Sequence, residues 1–155
     1  MFKSHPKGLL AAALSNMGER FGYYIMNAVL ALFLCSKFGL AEGQAGLIYS
    51  IFYAGIYILS LVGGLIADKT QNYKGTIMTG LAIMASGYVI LSIPVLATPQ
   101  NSSFLLAVTC LALFLIAFGN GLFKGNLQAI VGQMYDNFEA EEAKKGEEAL
   151  AIAKD

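Results

Sequence analysis

Residues 104–135 read FLLAVTCLALFLIAFGNGLFKGNLQAIVGQMY, and no charge occurs among the first twenty of them, Phe104 to Phe123. About 20 apolar residues, rising 1.5 Å each along a helix, cross the ~30 Å hydrocarbon core of a bilayer. The uncharged run extends backwards to Gly75, and a second one occupies residues 43–67. A water-soluble core of this size needs no such lengths, so both runs read as membrane spans. Composition agrees: 57% of the 155 residues are hydrophobic and 13% charged, against roughly 25% charged in an ordinary soluble domain. A soluble enzyme or a nucleic-acid binder is excluded on that ground.

Working outward, four apolar segments are expected at about residues 8–35, 44–67, 75–96 and 104–135, giving an all-α, polytopic membrane helix bundle. Pro94 to Ser103, with two prolines and Gln100, Asn101, Ser102 and Ser103, makes the polar turn between the third and fourth. The basic start and short apolar run at residues 1–16 lack a convincing cleavage site, and Glu19 and Arg20 follow at once; a retained first helix is expected. Residues 1–135 hold seven basic and three acidic groups, whereas residues 136–155 hold three and seven. This last part reads as an acidic cytoplasmic loop or tail, helix-prone in composition, a solvated helix or loop. Lys3, Lys7, Lys69, Lys74, Lys144 and Lys145 fall on one side of the spans and Lys37 on the other, so the positive-inside rule puts both ends of the chain in the cytoplasm. Cys35 and Cys110 offer neither a disulfide framework nor metal-ligand spacing, and no metal or cofactor is expected.

Three charged groups lie inside the expected spans: Glu19, Arg20 and Lys124. An ion at a helix centre costs roughly 2.5–3.5 kcal/mol even on the lenient insertion scale, so each requires a partner or a wet cavity. Asn16, Arg20, Tyr23 and Asn27 recur at intervals of four, three and four and share a face of the first helix. Tyr49, Tyr53 and Tyr57 repeat every four residues on the second, as packing or as a pocket wall, and Asn120, Lys124 and Gln128 do so on the fourth, among Gly119, Gly121 and Gly125. Unsatisfied polar groups are not tolerated against lipid, so these stripes face the bundle interior, and the small residues admit a close neighbouring backbone.

Three of these stretches carry a resemblance. Glu19-Arg20-Phe21-Gly22-Tyr23-Tyr24 resembles the ERFxYY signature of the proton-dependent oligopeptide transporters, a family of the major facilitator superfamily. Gly64-Leu65-Ile66-Ala67-Asp68, followed by Lys74, is similar to the superfamily motif between helices two and three, and Gly119-Asn120-Gly121-Leu122-Phe123-Lys124-Gly125-Asn126 to the fourth-helix GNGLFKxN segment. The resemblance implies the first four transmembrane helices of a major facilitator-type fold, an amino-terminal portion of a carrier for di- and tripeptides and protons in the cytoplasmic membrane. It implies a proton-coupling group of Glu19, Arg20 and Lys124, with Arg20 and Lys124 facing a central cavity and Lys124 near a substrate carboxylate. Tyr23, Tyr24 and Tyr57 would line the peptide pocket, and Asn16, Asn27 and Asn120 are added as substrate contacts. Gly64, Asp68 and Lys74 would form a conformational motif at the cytoplasmic end of helix two.

The chain departs from the family pattern at Asn16, where an acid is usual, and at Asn27, where a base is frequent, which suggests a paired replacement. Gly125 stands where a proline usually follows the lysine. The expected partners are short peptides, protons, the bilayer and the remaining helices of a carrier, not nucleic acid. The competing class is a stand-alone four-helix membrane protein acting as an oligomeric small carrier or scaffold. An enzyme is not expected, since no nucleophile elbow or cluster of His and Asp occurs and His5 is isolated.

Overall fold

The computed structural model describes the backbone of residues 5–152 and the side chains of residues 5–147, and Lys3, used above for orientation, lies outside them. Four helices account for nearly all of it: α1 (Leu9–Phe38), α2 (Glu42–Thr70), α3 (Tyr73–Ser92) and α4 (Ser102–Ile152). Each is long and apolar enough to cross a membrane.

Local chemistry sets the boundaries. α1 overruns its expected end and stops where Gly39 takes a left-handed conformation (φ 65°), its N–H bonding the Cys35 carbonyl; glycine adopts that conformation without steric cost. Gln71 closes α2 in the same region (φ 53°), and Asn72 caps α3 by accepting from the Gly75 N–H at 2.9 Å. α3 ends at Ser92, short of the expected 96, because Pro94 drives Ile93 into an extended conformation (ψ 119°).

The largest difference is in α4, which has no break near Tyr135 and continues for 51 residues through the acidic segment. Alanine, glutamate and lysine there are strong helix formers, and Lys145 donates to Glu142 one turn earlier at 2.9 Å. Of the helix or loop expected here, the structure has the helix, continuous with the fourth segment.

α4 is the central element: it packs along both α3 and α2, while α1 touches α2 and α4 over shorter stretches. The crossings depend on glycine. A Cβ on Gly121 would sit 2.5 Å from the Leu59 carbonyl oxygen, one on Gly119 2.5 Å from that of Gly80, and one on Gly63 would strike the Gly121 carbonyl. Backbones that close gain dispersion contacts in place of a hydrophobic effect that lipid does not supply. Leu30, Leu34, Phe52, Ile56 and Ile116 fill the interior, whereas Leu32, Leu61 and Phe104 are at least 70% exposed on the outside, as apolar residues facing acyl chains would be.

Candidate functional site

Two cavities follow the polar face of α1. The first, of about 390 Å³, has Arg20, Tyr23, Tyr24 and Asn27 of α1 on one wall, Tyr49, Tyr53 and Tyr57 of α2 on another, and Lys124 of α4 on the third. The second, of about 450 Å³, lies towards the amino-terminal end of α1 and is lined by Asn16, Arg20, Lys124 and Gln128 among aliphatic side chains. Arg20 and Lys124 line both, so the two cations stand at the junction.

The α2 tyrosines form a ladder. Tyr49 and Tyr53 stack with planes 9° apart, Tyr53 and Tyr57 meet edge to face with centroids at 5.3 Å, and their hydroxyls are 3.1 Å apart. Asn27 fastens the ladder to α1 by donating to the Tyr49 hydroxyl at 3.0 Å. Lys124 Nζ lies 4.9 Å from the Tyr57 ring centroid, and the Arg20 guanidinium 5.7 Å from that of Tyr23. Cation–π contacts are worth roughly 0.5–2 kcal/mol, which helps hold both charges beside low-dielectric surroundings.

Glu19 points away from the cavities. Its side chain is fully buried, with Oε2 3.0 Å from Arg20 Nε, and Oε1 accepts from Asn120 Nδ2. Asn120 is only 1% exposed. It lines neither cavity: one helical turn before Lys124 on α4, it is turned into the α1–α4 crossing. Arg20, Tyr23, Tyr24, Asn27, Tyr57 and Lys124 do come together around the first cavity, and Asn16 joins the second. Asn16 and Asn27 thus sit in separate spaces on either side of Arg20.

The α2–α3 junction is a separate region. Asp68 Oδ1 accepts from the Tyr73 hydroxyl at 2.8 Å, Gly64 has an open flank, and Lys74 is exposed. Among the described residues Asp68 forms no ion pair. Two polar residues that sequence reasoning passed over matter to packing. Asn126, buried on α4, donates to the Gly63 carbonyl at 3.1 Å and to the Leu122 carbonyl at 2.7 Å, and His5 Nδ1 lies 2.9 Å from the Tyr135 hydroxyl. An asparagine two residues beyond Lys124 in an apolar helix was the available signal for the first; nothing in the spacing of His5 pointed to the second. No group of three or more His, Cys, Asp or Glu able to hold a metal ion occurs among the described residues.

Long apolar helices, glycine-mediated crossings and charged cavities between the helices define a polytopic membrane helix bundle, and the sequence profile of the Major Facilitator Superfamily matches residues 12–143. The chain belongs to that superfamily. It is 36% identical over 141 residues to a di-/tripeptide transporter of Lactococcus lactis subsp. cremoris, an alignment covering 86% of this chain and 27% of that protein. It is also 36% identical over 118 residues to dipeptide and tripeptide permease A of Chromobacterium violaceum, covering 76% and 22%. A third relative, dipeptide and tripeptide permease A of Escherichia coli K12, is 30% identical over 131 residues, covering 84% and 25%. These names meet the oligopeptide-transporter resemblance carried by the three motifs. The chain spans about a quarter of the length of the curated relatives it matches. No solved structure matches it significantly.

Proposed function

We propose that these four helices are the amino-terminal part of a proton-coupled symporter that moves di- and tripeptides across the cytoplasmic membrane, with both ends of this chain in the cytoplasm. The cavity where two cations meet five tyrosines and an asparagine carries the reading. A peptide zwitterion needs a cation for its carboxylate and amphipathic surfaces for variable side chains; Lys124 and Arg20 supply the first, and Tyr23, Tyr24 and Tyr57, with Tyr49 and Tyr53, the second. Glu19 is the proton carrier, being the acid within the α1 span and already in contact with Arg20. Asn16 and Asn27 hold neutral hydrogen-bonding places in the two cavity walls, and Gly64, Asp68 and Lys74 act on the conformational change from the membrane surface. The site is completed by further helices of the same carrier, and no covalent chemistry takes place in it.

The test is uptake of labelled dialanine into proteoliposomes holding the complete carrier, with and without an inward proton gradient. Gradient-dependent uptake that unlabelled dipeptide competes away is the expected result. Uptake of nitrate or a single amino acid, with no response to dipeptide, would keep the fold and reject the substrate.

A further inference from the structure

A further crevice, of about 390 Å³, opens between α2, α3 and α4 and shares no wall residue with the two cavities of the site. α4 packs along both α2 and α3, but those two helices touch each other little, and the crevice is the gap between them. Its lining is graded. Thr70, Asn72 and Thr76 stand at the end where α2 turns into α3, and Ile83, Phe118 and Leu122 form the opposite end. The stretch of α3 from Asn72 to Ile83 rises about 16 Å, the depth of one leaflet of a ~30 Å hydrocarbon core.

The polar end is rich in donors and cations. Asn72 Oδ1 already accepts from the Gly75 N–H at 2.9 Å, so Nδ2 remains to donate. Lys69 and Lys74, next in sequence to Thr70 and Gly75 of the lining, are both exposed, and lysine stems lie along apolar surface while their ammonium groups stay at the interface. Asp68, the sole acid between Glu42 and Asp136 in the sequence, is engaged by the Tyr73 hydroxyl at 2.8 Å. The turn therefore carries a net positive charge.

An apolar slot of leaflet depth under a cationic, donor-rich mouth matches an acyl chain beneath a phosphodiester, and basic pockets between membrane helices on the cytoplasmic side are where anionic headgroups are held. We propose that this crevice binds one anionic phospholipid of the cytoplasmic leaflet, its phosphate met by Lys69, Lys74 and the Asn72 amide and one acyl chain lying against Ile83, Phe118 and Leu122. A zwitterionic headgroup brings an ammonium that the positive turn repels, so the fitting class has a single phosphate charge and no amine, as in phosphatidylglycerol. The choice of leaflet rests on the proposed orientation, which puts both lysines on the cytoplasmic side. A lipid seated there fills the gap between α2 and α3 beside the Asp68–Tyr73 contact, so bilayer composition would bear directly on that turn.

The test is photocapture in nanodiscs of phosphatidylcholine holding the complete carrier and a little phosphatidylglycerol with a diazirine midway along one acyl chain. Adducts are expected at Ile83, Phe118 or Leu122, competed away by unlabelled phosphatidylglycerol and not by phosphatidylcholine. Lys69→Gln and Lys74→Gln should each lower capture about fivefold and together about thirtyfold. Thr79→Phe, which fills the crevice and leaves both lysines in place, should remove the adducts. Adducts scattered over outward residues such as Leu32 and Leu61, undiminished capture by the double lysine variant, or equal competition by phosphatidylcholine would overturn the proposal. Displacement by inorganic phosphate alone would also overturn it, by making this a soluble-anion site. If capture behaves as expected but the carrier fails to take up dipeptide, the substrate reading falls and the lipid site stands.

Discussion

Gly121→Ala is expected to destabilise the bundle, whereas Gly125→Ala, one turn further along α4, should not. At position 121 the added methyl carbon would lie 2.5 Å from the Leu59 carbonyl oxygen, 2.6 Å from its carbon and 2.9 Å from Ser60 N, where ordinary contact begins at 3.4 Å. All three are backbone atoms that cannot rotate aside, so α2 and α4 must separate by roughly 0.9 Å, the difference between 3.4 and 2.5 Å. Overpacking of this kind costs about 1–3 kcal/mol, and the separation also stretches the neighbouring bond from Asn126 to the Gly63 carbonyl. At position 125 the nearest atom is Ser60 O at 3.9 Å, and alanine gains up to ~1 kcal/mol of helix propensity. That gain is common to both positions, so the two variants should differ by the overpacking cost, about 1–3 kcal/mol, the first lowering and the second holding or raising stability. Unfolding titrations from mild detergent into dodecyl sulfate, followed by helical circular dichroism, measure it. Equal midpoints for the two variants, or a weaker Gly125→Ala, would refute the close-contact argument.

In the complete carrier, Lys124→Ala should lower proton-driven dipeptide uptake about ten- to a hundredfold, since a charge-assisted hydrogen bond is worth roughly 1.5–3 kcal/mol; near-normal uptake would remove Lys124 from the site. Asn16→Glu and Asn27→Arg alone should each reduce uptake or folded yield by placing an unpaired ion in the bundle, and the double variant should recover part of the loss in a double-mutant cycle. Strictly additive losses would reject the paired replacement and leave the two asparagines as independent groups in different cavities. In intact cells an impermeant thiol reagent should label Ser102→Cys and not Lys144→Cys; the reverse pattern would invert the topology.

Much of the polar site was legible because intramembrane charge has few tolerable places. Asn16, Arg20, Tyr23 and Asn27 share a helical face by spacing alone, and the cavities lie along that face. The contact of Asn120 with Glu19 was not legible, because periodicity gives a residue's angle on a helix and not its neighbour. It shares a stripe with Lys124, yet α1 crosses α4 near it, and the amide is buried against Glu19. The tyrosine ladder stayed ambiguous for a related reason: an aromatic stripe packs equally well against lipid, protein or substrate. The extent of α4 was missed because the change from apolar to acidic sequence signals a change of solvent, whereas a helix ends only where backbone geometry forces it to, and residues 136–152 contain no proline.

That uninterrupted α4 has a mechanical consequence. A helix of 51 residues is about 77 Å long, more than twice the ~30 Å hydrocarbon thickness, so a large part of it must project from the bilayer. With its charged end outside, the stretch 136–152 makes a stiff pointer of roughly 25 Å anchored directly in the helix that carries Lys124. A change of roughly 10° in the tilt of the buried part would sweep the tip through about 4 Å by leverage alone. Any tilt of the bundle, small at the level of Lys124, would thereby be magnified at the membrane surface, where a pair of spin labels or a docked protein would feel it most.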